Sequence, residues 1–250
     1  MFKTTLLPAK GTATRSHILS TALQVFRAKG LDATTMRELA AAAGTSLGSA
    51  YYYFPSKEAI IQAYYDDVQA EHARRLTAAL DGKKLDLLER LRAAFHAKLD
   101  ILQSDRKLIG TLFRFAGEPD HPLSVFGAAT KATRQQSVAI FEQAIGDESM
   151  PEEIRQILPS ALWALHMGVL LYFIYDDSSQ QGRTHRLVDG GLTLLTRLLA
   201  LAKLPFLKPI RGGVIEILRD AGLAPSSGSV QGPKENTPRQ ESIEKKKRAL

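Results

Sequence analysis

Apolar positions recur at helical spacing along most of this chain. Ile18, Ala22, Val25 and Phe26 repeat at three- and four-residue intervals, which predicts a first helix over 14–29, closed by Gly30. Met36, Leu39, Ala40 and Ala43 predict a second helix. A very short third begins around Ser46 to Ser49 and runs out in three tyrosines and Phe54. Ser56, behind Pro55, is placed as the N-cap of a long helix from Lys57 towards Leu80. The same periodicity predicts helices over 85–104, 107–116, 123–145, 152–175 and 182–203. Nothing alternates apolar and polar between hairpin turns, so the fold is predicted to be all-α.

The pattern divides the chain into four parts. Residues 10–57 form a compact three-helix unit, and 58–204 form a larger helical body. Residues 205–224 hold an accessory amphipathic piece beyond Pro205 and Pro209. Residues 225–250 turn to Ser, Gly, Pro, Gln and charge, ending in EKKKRAL, and read as a disordered basic tail. The run ILPSALWALHMGVLLYFIY over 157–175 approaches the ~20 apolar residues of a membrane span. Pro159, Ser160, His166 and Gly168 interrupt it, so it is expected to be a bundle or subunit-interface helix, with no membrane partner.

Charge sharpens this division. Residues 1–60 carry seven Lys/Arg against three Asp/Glu, 61–224 carry twenty against twenty, and 225–250 carry six against three. A basic leading unit on a neutral body is the layout of a nucleic-acid reader with a separate control domain. The chain has no cysteine, which excludes disulfides, thiolate metal sites and a cysteine nucleophile and fits a reducing cytoplasm. The leading fifteen residues hold too short an apolar stretch for a secretory signal.

The segment 34–57, TTMRELAAAAGTSLGSAYYYFPSK, carries the chemistry. Thr35 and Glu38 have capping-box spacing. Thr34 and Thr35 lie at a helix start, where free N–H groups and the dipole favour a phosphate. Arg37 falls on the polar side of that helix, and Gly44 supplies the left-handed backbone for a tight reversal. Small residues leading the third helix would let it approach base edges, with Ala50 and Phe54 turned to the core. Tyr51 and Tyr53 offer phenolic donors to phosphate, and Lys57 adds a cation at the next helix start.

These residues resemble the TetR family of transcriptional regulators. The matching motifs are R-x-x-I-L-x-x-A-L-x-x-F-x-x-x-G over Arg15 to Gly30, T-x-R-E-L-A-x-x-A-G over Thr35 to Gly44, and Y-x-Y-F-x-S-K-E over Tyr51 to Glu58. The resemblance implies a DNA-binding helix-turn-helix domain on a ligand-binding, dimerising helical domain. It also implies a homodimer on a palindromic double-stranded DNA operator, repressing transcription until a small molecule binds. By position, Thr35, Tyr51, Tyr53 and Lys57 match the family's phosphate contacts. Arg37, Thr45, Ser46, Leu47, Gly48 and Ser49 match its base-facing positions. Leu47 and Gly48 bring no polar group, so methyl contacts or DNA shape are expected to share the reading.

In the body, Phe95, Phe113, Phe126, Trp163, His166 and Met167 are candidates to line a cavity for an apolar effector. The helices near 159–175 and 183–203 are the expected dimer surface. Leu187, Leu194, Leu195, Leu198 and Leu199 form a stripe, and Gly168, Gly190 and Gly191 permit close approach. Glu118, Asp120 and His121 sit in a Gly/Pro turn without a second histidine at ligand spacing, which reads as a surface loop. No phosphate-binding glycine loop, nucleophile elbow or zinc-protease helix is present, so no cofactor, metal or catalytic site is expected. Two alternatives remain: the same fold governed by a protein partner, and a helical enzyme built on the Glu118 cluster.

Overall fold

The computed structural model describes residues 9–204 together with Pro209, Gly212, Gly213, Glu216, Ile217 and Asp220. Its elements are α1 Ala9–Lys29, α2 Met36–Ala42, α3 Leu47–Tyr53, α4 Lys57–Leu80, α5 Leu87–Leu102, α6 Arg106–Phe113, α7 Lys131–Ile145, α8 Glu152–Tyr175 and α9 Gly182–Ala202. Among the described residues there is no strand, as the periodicity predicts. The predicted accessory helix is described only at those six separate positions, each helical, and the tail over 225–250 lies outside the described residues.

The leading unit is packed by the residues that set its periodicity. Ile18, Ala22 and Phe26 of α1 meet Leu39 and Ala40 of α2 and Ala50 of α3, all nearly inaccessible. α1 starts earlier than its apolar stripe suggests, and it ends where Gly30 takes φ +84° and donates to Phe26 O at 2.9 Å.

In the body, α5 is the hub, presenting Leu91, Ala94, Phe95 and Leu99 to α4, α7 and α8. An Asp86–Glu89 capping box starts it. Arginines from other elements satisfy the orphan carbonyls at two helix ends. Arg90 donates to Ala144 O at 2.8 Å and Ile145 O at 3.0 Å, and Arg106 to Phe173 O and Ile174 O, both at 3.0 Å. The Asp176 carboxylate accepts from the N–H and hydroxyl of both Ser178 and Thr184, at 2.6–3.0 Å, pinning α9 to the end of α8. Burial there opposes ionisation, but these four bonds outweigh it and hold the carboxyl well below its usual range.

One predicted helix is shorter than expected. Residues 123–130 are not helical; they continue a turn that begins at Glu118, and α7 starts only at Lys131. Thr130 donates its hydroxyl to Ser124 O, and Arg134 donates to Val125 O at 2.6 Å. Those side chains capture carbonyls that a helix would have bonded internally. His121 in this turn stacks on Phe115 at 3.9 Å and accepts from Leu123 N–H at 3.1 Å, a structural role. No metal-binding cluster occurs among the described residues.

α8 is long and apolar enough, by length and composition, to cross a membrane. Here Leu162, His166, Val169, Leu170 and Phe173 are buried in the body. The opposite stripe, Leu165, Gly168, Leu171, Tyr172 and Tyr175, is exposed, as are Leu187, Gly190, Gly191, Leu194, Leu198 and Leu201 of α9. Leu195 and Leu199, placed in the α9 stripe by spacing, are half-buried against the core instead.

Candidate nucleic-acid interface and ligand cavity

The α2–α3 turn is fixed by local chemistry at both ends. Thr35 Oγ1 accepts from Glu38 N–H at 3.2 Å, and Thr35 N–H donates to Glu38 Oε2 at 2.9 Å, completing the predicted box. Lys29 Nζ donates to Glu38 Oε1 at 3.1 Å. These bonds, Thr35's first, hold the Glu38 carboxyl at about 2. At the far end Gly44 (φ +60°) donates to Ala41 O at 3.1 Å and Thr45 to Ala40 O at 2.9 Å, a Schellman closure that needs the left-handed backbone. Ser46 then caps α3, accepting from Ser49 N–H at 3.0 Å.

A short helix anchored by Ala50 and Phe54, both inaccessible, must turn its other side to solvent. Arg15 lies over the Phe54 ring at 4.8 Å and fixes that anchor. Gly48 and Ser46 are exposed, Ser49 and Thr45 half-buried, and Arg37 on α2 exposed. Leu47 is half-buried and packs on the core, as does Tyr53, which meets Tyr52 edge-to-face at 5.0 Å. Tyr51 is 48% and Tyr52 73% exposed, so the outermost of the three tyrosines is the one the motif spacing passed over. A helical wheel centred on Ala50 puts Tyr52 opposite the core, and that signal could have found it.

Three predicted phosphate-side groups sit differently from their sequence reading. Thr34 is buried and donates its hydroxyl to Gly30 O at 2.7 Å, so it is not a free helix-start donor. Thr35 already donates its hydroxyl proton to Glu38 Oε2 at 3.0 Å. Lys57 Nζ donates to Leu31 O at 2.7 Å, which ties α4 to the α1–α2 turn and leaves two of its N–H groups over.

The body holds a cavity of about 110 Å³, partly open to solvent, between α4, α5, α6, α7 and α8, with Val125 and Thr130 of the 118–130 turn in its wall. Phe113, Trp163, His166 and Met167 border it, as their composition suggested. Phe95 does not: it is core, 5.4 Å from both the Phe141 and His166 rings. Phe126 does not either, being 68% exposed and edge-to-face with Trp163 at 5.6 Å. Lys98, Gln69 and Arg134 also border it, and sequence reasoning singled out none of them.

A buried polar junction joins the cavity wall to the leading unit. Tyr64 of α4 borders the cavity and donates to Asp105 Oδ2 at 2.8 Å. The same carboxylate, just before α6, accepts from Arg27 of α1 at 2.6 and 3.1 Å. Burial, then the Asp105 charge, raises the Tyr64 phenol far above its usual value, so it stays a donor. Arg114 pairs with Asp32 of the α1–α2 turn alongside.

This geometry has counterparts among known proteins. A family model described as bacterial regulatory proteins, tetR family, matches residues 18–64. A second, described as a tetracyclin repressor-like C-terminal domain, matches residues 90–212. The chain is 30% identical over 136 residues to the HTH-type transcriptional repressor DhaR of Mycobacterium sp. (strain GP1), covering 53% of this chain and 62% of that one. It is 36% identical over 73 residues to the HTH-type transcriptional repressor KstR2 of Rhodococcus jostii (strain RHA1), covering 28% of this chain and 36% of that one. The chain thus spans less than two thirds of the length of either repressor. Its fold is similar to a solved TetR-family transcriptional regulator from Syntrophomonas wolfei, with a TM-score of 0.60 at 18% identity, covering 74% of this chain and 95% of that one. With one model on the helix-turn-helix unit and the other on the helical body, the chain belongs to the TetR family, whose members are transcriptional regulators and not enzymes.

Proposed function

We propose that this protein is a cytoplasmic transcriptional repressor that binds an inverted-repeat operator as a homodimer and releases it when a small molecule occupies the cavity. The observation that carries the reading is the α2–α3 unit. It is a rigid, doubly capped turn presenting Arg37, Ser46, Gly48 and Ser49 outward from a buried Ala50–Phe54 anchor. Arg37, Ser46 and Ser49 read base edges in the major groove; Thr45, Leu47 and Gly48 add close approach and apolar contact. Tyr51, Tyr52, Tyr53 and the spare N–H groups of Lys57 hold the flanking phosphates, while Thr35, its donors given to Glu38, fixes the helix start beside them.

The exposed stripes of α8 and α9 support the dimer. Leu165, Leu171 and Tyr172 on one helix and Leu187, Leu194 and Leu198 on the other are each 42–59% exposed. A Cβ placed on Gly168, Gly190 or Gly191 would meet nothing of this chain within 4 Å, so both backbones are open to a close-packed neighbour. Mated with their symmetry copies, the two helices make a four-helix bundle with isologous contacts. Two recognition helices are then held about 34–36 Å apart, one turn of DNA, or a multiple of it.

Control runs through the Tyr64–Asp105–Arg27 junction. A ligand that displaces Tyr64 disturbs the carboxylate on which α1 is anchored and so shifts the leading unit against the body. Full switching requires the ligand to favour the released state by about 5 kcal/mol. Sedimentation of the protein on a bound duplex tests the assembly. Two or four protomers per inverted repeat is the expected stoichiometry, and one protomer per specific site would sink the dimer reading.

A further inference from the structure

The cavity wall has an uneven chemistry. Its ionisable residues are Tyr64, Tyr65, Lys98, Arg134 and His166, and among the described residues no carboxylate borders it. Lys98 is 2% exposed, and its ammonium donates to one neutral group, Gln69 Oε1, at 2.8 Å. Burial pushes this amine down to about 7. His166 is inaccessible, and neither ring nitrogen has a hydrogen-bond partner among the described residues. It is surrounded by the rings of Phe95, Phe141 and His72, at 5.4, 5.5 and 6.2 Å. Burial, then the charges of Lys98 and His72, holds it well below its usual range, so it is neutral, with one nitrogen able to donate and one to accept.

Elsewhere this fold compensates its buried charges. Asp105 has Arg27 and Tyr64, and Asp176 has four donors. A buried lysine amine with a single neutral partner, beside an imidazole with no partner among the described residues, therefore stands out against the rest of the molecule. Both groups border the same cavity, whose remaining wall is largely apolar, with Leu112, Phe113, Met167 and Leu170.

We propose that the cavity takes a small amphipathic acid, its carboxylate held by Lys98 and His166 and its apolar body lying against Leu112, Phe113 and Leu170. This rests on the reading of the cavity as the effector site and specifies the ligand's charge. A carboxylate suits the donor set better than a phosphate. A phosphate would also call on the Arg134 guanidinium, whose Nη1 is already bound to Val125 O at 2.6 Å and Gly127 O at 3.4 Å. One ammonium and one imidazole N–H match the two oxygens of a single carboxylate. At about 110 Å³ the space is smaller than the sealed engineered cavity of roughly 150 Å³ that holds benzene, so the covered part of the body is short and the rest extends towards the open side.

Calorimetry on the full chain without DNA tests this. Butyrate, hexanoate and benzoate are compared with butanol, hexanol, benzyl alcohol and hexylamine. The acids should bind about tenfold or more tighter than their alcohols, and the amine weakest of all. Lys98→Met should bring each acid down to the affinity of its alcohol. Because Lys98→Met removes a buried charge, it should melt no lower than the parent; if it fails to fold, the acid-to-alcohol ratio on the parent protein decides alone. Equal binding of acids and alcohols, an acid preference that survives Lys98→Met, or no binding by any probe overturns the proposal. Repeating the titration on operator-bound protein separates the two ideas. Acids that bind through Lys98 yet leave operator affinity unchanged refute the effector role and spare the site. Operator release that is indifferent to ligand charge does the reverse.

Discussion

Tyr64→Phe removes one oxygen and leaves a buried ring in place. That oxygen donates at 2.8 Å to Asp105 Oδ2, which also accepts from Arg27 at 3.1 Å, in a side chain 6% exposed. A hydrogen bond to a charged group contributes about 1.5–3 kcal/mol. Arg27 keeps 41% of its side-chain surface, so water reaches that flank, and the low end, about 1.5 kcal/mol, is expected. For a folded unit of roughly 200 residues, at 2–4 °C per kcal/mol, the melting temperature falls by about 3–6 °C. Thermal unfolding followed by circular dichroism reads it directly. Arg27→Ala and the double variant complete a cycle, and because both donors share one oxygen, their effects should be non-additive by about 0.5 kcal/mol or more. The functional arm is operator affinity with and without the tightest-binding carboxylate probe. Tyr64→Phe should keep operator affinity and lose most of the probe's effect on it. An unchanged melting temperature together with an intact probe response would refute the junction as the link between cavity and DNA.

Tyr52→Ala should weaken operator binding without lowering the melting temperature, since the side chain is 73% exposed; an anisotropy titration and a melt decide it. Lys57→Ala should weaken all duplexes alike, reduce the salt slope by about one and, through the lost Leu31 contact, destabilise the fold by about 1 kcal/mol. Arg37→Ala should instead relax preference at particular bases, so uniform scaling across a mutated operator set would remove its base-reading role. Leu194→Arg should give a folded monomer by sedimentation, since Leu194 is 59% exposed in the single chain. Burial, and then the Lys98 charge, depresses the His72 imidazole from 6.5 to about 3. The unfolded chain therefore binds a proton in that window that the folded chain does not, and stability falls as pH drops from 6.5 towards 3. His72→Phe should flatten this slope in denaturant titrations.

The leading unit was legible because its signals are local. Thr35 and Glu38 are three residues apart, Ser46 caps its own helix, and Gly44 needs only its own φ; short-range spacing specifies all of them. What escaped is non-local or two-faced. Asp105 joins residues 78 and 41 positions away in sequence, a distance at which no periodicity speaks. Lys98 looks like a solvated cation beside Asp100, and only the packing of α5 against α4 shows it buried. Phe95 and Phe126 look alike in sequence yet fall on opposite sides of the cavity wall, one sealed in the core and one facing water. The 123–130 segment keeps a helical apolar pattern, but Thr130 and Arg134 bond its carbonyls and convert it into wall. Among three adjacent tyrosines, the burial of Ala50 decides which points outward.

The central claim is that α2 and α3 grip duplex DNA. Selection of bound sequences from random double-stranded DNA, followed by titration of the enriched duplex across a range of salt, tests it most directly. The account predicts an inverted repeat with half-sites spaced by one helical turn or a multiple of it, bound more weakly as salt rises. Enrichment of no sequence, with association to duplex that is absent or insensitive to salt, would contradict it.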